Sequence, residues 1–191
     1  MAEQPAPSES VTPEQFFTEL LPAGFALQRQ QGDAPAPRDF RLQYHLTGEG
    51  GGDWLVTVKD GSMTSESGTG DAELSFTLSV DDWRDAVLGR DGAALLLIVP
   101  QQQPGKPDNS DRARQLRGTL GLELSRDGRE PFKSEMCFNN AASPKTVIKA
   151  KLVDYMDIQT GKLNGQQAFM GGKLRAEGDM AFLMQVATLT G

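Results

Sequence analysis

The chain has 191 residues, 38% of them apolar and 24% charged, which suits one globular domain with a sizeable core. A net charge of −7 argues against nucleic acid as a partner, and no apolar run approaches the roughly 20 residues that span a bilayer. Cys137 is the single cysteine, so an internal disulfide is impossible; a reducing cytoplasm and a buried structural thiol are the expectations.

The first residues, "MAEQPAPSES", have neither a basic start nor an apolar stretch, and residues 1–11 are expected to be a disordered leader. Residues 12–191 are expected to form one domain. In "VTPEQFFTELL" Thr12 and Gln15 can form a capping box with Pro13 at the first helical position. The spacing of Phe16 with Leu20 and of Phe17 with Leu21 predicts a helix from Pro13 to Leu21. "QGDAPAPRD" reads as a connector.

In "FRLQYHLTGEGGGDWLVTVKDG", Phe40, Leu42, Tyr44 and Leu46 alternate with polar residues, as in a half-buried strand, and "WLVTV" returns as the second arm of a hairpin. The glycine-rich turn is no phosphate loop, because a strand and not a helix follows it. "AELSFTLSVDDWRDAVLG" reads as a strand with Leu74, Phe76 and Leu78, then a helix capped by Ser79 and Asp82 that carries Val80, Trp83 and Val87 on one face and stops at Gly89. The run Ala93 to Val99 is apolar, and residues 100–114, rich in Pro, Gln and charge, read as a linker.

The pattern then recurs. Residues 40–92 and 118–164 lay over one another as hairpin, strand, helix and glycine. An offset of 78 brings Leu120, Leu122 and Leu124 onto Leu42, Tyr44 and Leu46, and Phe132 onto Trp54. An offset of 72 brings Ile148 onto Phe76, Leu152 onto Val80, Tyr155 onto Trp83 and Gly161 onto Gly89. Convergence of two generic β-β-β-α units would give the same pattern. The chain closes with a short helical piece around Ala168, Phe169 and Met170, a strand "GKLRAEG", and a helix opened by Asp179. On that helix Met180, Leu183, Met184 and Ala187 form one stripe, and Phe182, Val186 and Leu189 form another, more apolar surface than an ordinary surface helix carries.

Little catalytic apparatus is present. His45 is the sole histidine, on the polar side of a strand, and the chain has neither Gly-x-Ser-x-Gly nor His-Glu-x-x-His. Asp81 and Asp82 are explained by the helix N-terminus they occupy. No enzymatic role, metal or cofactor is expected. Of the six methionines after Met1, four lie between Met156 and Met184, where such adaptable side chains suit either a packed core or a lined cavity. Residues 1–99 hold 6 basic and 16 acidic side chains and residues 100–191 hold 13 and 10, so the basic excess surrounds the oily C-terminal segment. It is either a solvated face or a weak attraction for anionic head groups.

The stretch "TGKLNGQQAFMGGKLRAEGDMAFLMQVATL", within residues 160–190, resembles the closing motif of the sterol carrier protein type two family, a group of small lipid-binding domains. "GDAELSFTLSVDDWRDAVLG", the N-terminal helix and "WLVTVKDG" are similar to earlier parts of that family. The chain departs from the family where Gly89 leads into "RDGAALLLIV" and a long loop, and where Lys151 stands in place of Ser79, so it looks like a family domain enlarged by a duplicated β-β-β-α unit. It ends in "TLTG", without a peroxisomal Ser-Lys-Leu-type signal. The resemblance implies an α+β fold, a mostly antiparallel sheet with helices on one face and an apolar tunnel between. It implies Phe169, Met170, Leu174, Met180, Leu183, Met184 and Ala187 as tunnel lining, to which the residue pattern adds Phe76, Trp83, Tyr155 and Met156. The expected function is non-enzymatic binding and transfer of a fatty acyl chain, sterol or polyprenoid in the cytoplasm, with transient contact with an anionic membrane. The alternative is an interaction or dimerisation module that uses the last helix over a filled cavity.

Overall fold

A computed structural model describes residues 7–31, 38–90 and 110–190. The run Ala93 to Val99, most of the linker and most of the connector before β1 lie outside them. Eight strands form one sheet in the order β3-β2-β1-β4-β6-β5-β7-β8: β1 Phe40–Thr47, β2 Gly52–Lys59, β3 Ser62–Ser67, β4 Leu74–Ser79, β5 Gly118–Arg126, β6 Arg129–Phe138, β7 Lys145–Lys151 and β8 Leu174–Gly178. Only β1–β4 and β5–β7 pair in parallel, so the fold is α+β with a mostly antiparallel sheet.

Alternation along the strands sets the two faces. Trp54, Tyr44, Phe76, Met136, Leu120 and Thr146 stand opposite one another in one row across six strands, and all are buried. Helix residues Phe17, Trp83, Tyr155, Met156, Phe182 and Val186 join the same core cluster, so their helices cover this inner face. The other face carries Arg41, Asp53, Glu66, Glu123, Lys149 and Arg175. Cys137 lies there too, half-buried between Ser75 and Thr119 and not in the core as expected.

The first helix is longer than expected. The capping box is present, with Gln15 N donating to Thr12 Oγ1 at 3.2 Å and Thr12 N to Gln15 Oε1 at 3.3 Å. The helix then runs as α1 Pro13–Gln15, a π-helical segment Phe16–Leu20 and α2 Leu21–Gln31. Pro22 has no N–H to give, and Leu21 N donates back to Phe16, which accommodates the proline as a π-bulge. Val11, placed in the leader from sequence, is buried in the core. Strand β3 follows the two-residue turn Asp60-Gly61, both at positive φ, and buries Met63. Helix α3 Val80–Val87 follows β4, and α4 Ser110–Gln115 replaces the last residues assigned to the linker. Then come α5 Leu152–Gln159, α6 Gly165–Met170 and α7 Met180–Thr190.

Two units of like topology, β1-β2-β4-α3 and β5-β6-β7-α5, make up the six inner strands, with β3 and β8 added at the edges: each unit has a hairpin, a strand parallel to the first arm, and a helix. The offsets read from sequence appear in the register, since Leu42, Tyr44 and Leu46 face Leu74, Phe76 and Leu78 while Leu120, Leu122 and Leu124 face Thr146, Ile148 and Ala150. The hairpins differ. Trp54 faces Tyr44, but Phe132 faces Leu124 and not Leu122, because the second hairpin turns tightly at Asp127-Gly128 with a bulge between Leu124 and Arg126. The shift is two residues, so every side chain keeps its face.

An ion cluster ties the units together. Arg126 donates to Asp82 Oδ1 at 2.8 Å, to Asp85 Oδ2 at 2.7 Å and to Glu130 O at 2.7 Å, with its guanidinium 5.9 Å from the Phe132 ring centroid. Arg129 and Arg90 also pair with Asp85. Asp82 is therefore more than a helix cap: Ser79 Oγ does the capping, and the Asp82 carboxylate is buried against the second unit.

Candidate functional site

The two units differ in what fills them. In the first, Phe17 stacks on Trp54 at 5.4 Å between centroids and on Trp83 at 6.4 Å, while Phe16 meets Trp83 edge-on at 5.5 Å. Phe76 stacks on Tyr44 at 5.3 Å. Phe76 and Trp83, expected in a tunnel wall, belong to this aromatic plug, which the N-terminal helix inserts. The indole N–H groups of Trp54 and Trp83 have no partner among the described residues.

In the second unit the inner row Leu120, Leu122, Leu124 and Ile148 is covered by Leu152, Tyr155 and Met156 of α5 and by Phe182 and Val186 of α7. Burial pushes the Tyr155 phenol up to about 12, and its hydrogen bond with Gln159 pulls the other way. The start of α7 is built by several contacts. Asp179 Oδ1 accepts from Phe182 N at 2.8 Å, Asp179 O accepts from Thr146 Oγ1 at 2.6 Å, and Asp179 N donates to Lys145 O at 3.1 Å. Gly178, at φ +114°, passes so close to Lys145 that a Cβ would lie 2.2 Å from its carbonyl oxygen. These contacts fix the rotation of α7 about its axis.

That rotation decides which stripe faces the sheet. Phe182 is 1% exposed and Val186 is buried with it, whereas Met180, Met184 and Ala187 face outward and Leu183 is half-buried. The stripe expected to line a tunnel is thus mostly the outer one. The Asp179 cap sets the phase, and the Phe182 ring fits over Gly118, where no side chain stands. Phe169 and Met170 on α6 are exposed as well, and Leu174 on β8 is half-buried against the core. So Phe169, Met170, Met180, Met184 and Ala187 form no enclosed lining among the described residues, while Tyr155, Met156, Leu174 and Leu183 gather at the second unit. Sequence reasoning left Phe182 and Val186 out of the site, although their i,i+4 apolar spacing is the same signal that pairs Phe17 with Leu21.

Two open concavities stand out, and neither is an apolar tunnel. One, of about 350 Å³, lies between Arg41, Asp71, Glu73, Arg117, Asn139 and Asn140. The other, of about 460 Å³, lies on the outer face beside β5, β7 and β8, against Lys149, Lys151, Lys173 and Arg175.

Helices α5, α6 and α7 with strands β5 to β8 lie within one contiguous stretch of sequence, and that stretch has known relatives. Residues 100–191 match the SCP-2 sterol transfer family. The SCP-2-like stretch therefore contains the motif "TGKLNGQQAFMGGKLRAEGDMAFLMQVATL" and the whole second unit. The match does not extend over the N-terminal helix, "WLVTVKDG" or "GDAELSFTLSVDDWRDAVLG", where further resemblance was expected. No curated protein matches the chain. Among solved structures, the sterol carrier protein domain 2 of Helicoverpa armigera shares 22% identity over 44% of this chain and 73% of its own, with a TM-score of 0.36. A double mutant of the sec-alkyl sulfatase PisA1 shares 14% over 95% of this chain and 16% of its own, with a TM-score of 0.31. The sec-alkylsulfatase Pisa1 from Pseudomonas sp. gives 13%, 95%, 16% and 0.27. At these scores none of the three structures fixes a function for this chain. No helix among the described residues is long and apolar enough to cross a membrane.

Proposed function

We propose that the protein binds and transfers an apolar lipid, such as a fatty acyl chain, sterol or polyprenoid, as a non-enzymatic carrier in the cytoplasm. The observation that carries this reading is the SCP-2 sterol transfer match over residues 100–191, the part of the chain that contains α5, α7 and the strands beneath them. The lipid enters between α7 and the inner face of β5 and β7, and α7 swings outward to admit it. Two features support this. The helix is seated through a narrow seam, Phe182 and Val186, and its neighbouring stripe of Leu183, Met184 and Ala187 is apolar enough to close over a guest. The second unit is also less filled with aromatic rings: where the first holds the Phe16–Phe17 pair against two tryptophans, α7 brings Phe182 edge-on to Phe138 at 6.3 Å. Burying the tail contributes roughly 25 cal/mol per Å² of apolar surface, and shape sets the selectivity.

Native mass spectrometry of the freshly purified chain tests the reading. Co-purifying lipid mass is expected, lost in a variant that ends at Asp179 and reduced in a folded variant carrying Leu183→Glu. A lipid-free dimer that dissociates when α7 is removed would instead establish the interaction module. Undiminished fatty-acid binding by a folded chain ending at Asp179 would reject α7 as the cover.

A further inference from the structure

The outer-face groove beside β7 and β8 holds two cations, Lys151 and Arg175, that no ion pair among the described residues accounts for. Lys149 and Arg175 stand directly opposite each other across the two strands, a like-charge pairing that costs stability. Lys151 and Lys173 line the same groove, as do two carboxylates, Glu123 and Asp154. Lys149 lies 2.7 Å from Glu177 and 3.8 Å from Glu123, and Lys173 lies 2.8 Å from Asp154. Lys151 and Arg175 form no ion pair among the described residues, and both are exposed. Four cations against three carboxylates, Glu123, Asp154 and the neighbouring Glu177, leave a local excess of one positive charge on an acidic protein.

An apolar rim adjoins it. Five large apolar side chains are exposed among the described residues, and three of them neighbour groove residues in sequence: Val153, at 62%, sits between Lys151 and Asp154, while Phe169, at 46%, and Met170, at 81%, immediately precede Gly171. The Lys173–Asp154 ion pair joins the two segments that carry them. A small anion would use the cations and leave the rim idle. Cations beside protruding apolar side chains match the layered chemistry of a bilayer surface, phosphate outside and hydrocarbon beneath.

We infer that this groove and its rim are the surface with which the protein docks on a membrane containing anionic phospholipid. Lys149, Lys151, Lys173 and Arg175 face the phosphate layer, and Val153, Phe169 and Met170 enter the boundary between head groups and acyl chains. The inference deepens the lipid-carrier reading by supplying its membrane contact, but the two are measured separately.

Flotation of the full chain with vesicles tests it. Binding is expected to vesicles of phosphatidylcholine with about one-third phosphatidylserine, not to phosphatidylcholine alone, and to weaken with added salt. Each surface cation contributes roughly fivefold to such binding, so Lys151→Glu or Arg175→Glu should each weaken it by about an order of magnitude or more, since reversal also adds an anion. Met170→Ser should weaken it several-fold, and Lys59→Glu, the same charge change at the far side of the sheet, should have little effect. Failure of the unaltered chain to bind anionic vesicles overturns the inference, as does equal weakening by Lys59→Glu and Lys151→Glu. Loss of binding to inorganic phosphate at matched ionic strength would make the groove a small-anion site and also overturn it. Lipid mass retained in native spectra alongside failed flotation would sink the docking surface and spare the carrier reading; vesicle binding without captured lipid would do the reverse.

Discussion

A β-carbon on Gly118 would lie 2.6 Å from the Phe182 ring and 2.6 Å from the Pro144 carbonyl oxygen. Residue 118 also sits at φ +138°, a conformation that L side chains rarely adopt. The missing side chain is thus the seat of the last helix. Gly118→Ala should cost about 2 kcal/mol or more through strain and overpacking. Urea denaturation would read the loss, and faster proteolysis near the C-terminus would show that it falls on α7.

Phe182→Ala should destabilise the fold by about 3–5 kcal/mol, the usual cost of emptying a buried aromatic site. Met184→Ser, on the outward stripe of the same helix, should stay within about 0.5 kcal/mol. Reversed effects in thermal or urea unfolding would mean that α7 is seated on its other stripe.

Arg126 compensates two buried carboxylates at once. Arg126→Met leaves Asp82 without its ion-pair partner, while Asp85 keeps Arg90 and Arg129, and should cost about 3 kcal/mol. Replacing Arg126, Asp82 and Asp85 together by apolar residues of similar volume should cost far less, because no uncompensated charge is then left inside. A cycle of single and combined variants, measured by urea denaturation, separates the two cases.

Both tyrosines lose water on folding, which raises the Tyr44 phenol and takes Tyr155 from 10.0 to about 12. The native state therefore holds these protons at pH values where the unfolded chain has released them, so stability falls as pH rises. The contribution of Tyr155 should be intact below pH 10.0 and lost as pH rises through about 12. Tyrosinate absorbance should lag behind free tyrosine in the native protein and appear at once on adding denaturant. Tyr155→Phe should flatten the Tyr155 part of the alkaline loss.

Much of the architecture was legible because it rests on local patterns. Alternation at Phe40, Leu42, Tyr44 and Leu46 and again at Leu120, Leu122 and Leu124 marks buried faces whatever the tertiary context, and the offsets between the units carried the parallel registers. Strand β3 was passed over because "SMTSES" has one apolar residue, although Asp60-Gly61 ahead of it is a strong hairpin signal. The site was harder to read. Two apolar stripes on α7 look equivalent in sequence, and the choice between them depends on Gly118, a residue distant along the chain and itself featureless. The Asp82–Arg126 pair, between α3 and β5, and the groove cations, on neighbouring strands, depend on juxtaposition of distant segments, which no single stretch records.

The pairing of β4 with β6 has one more consequence. Residues 74–78 hydrogen-bond along 134–138, so the family-matched stretch leans on a strand that lies outside it. Excised at residue 100, that stretch would present β6 as a raw border of unmet amide and carbonyl groups, ready to recruit any stray strand. The bounds of the family match and the bounds of the sheet do not coincide.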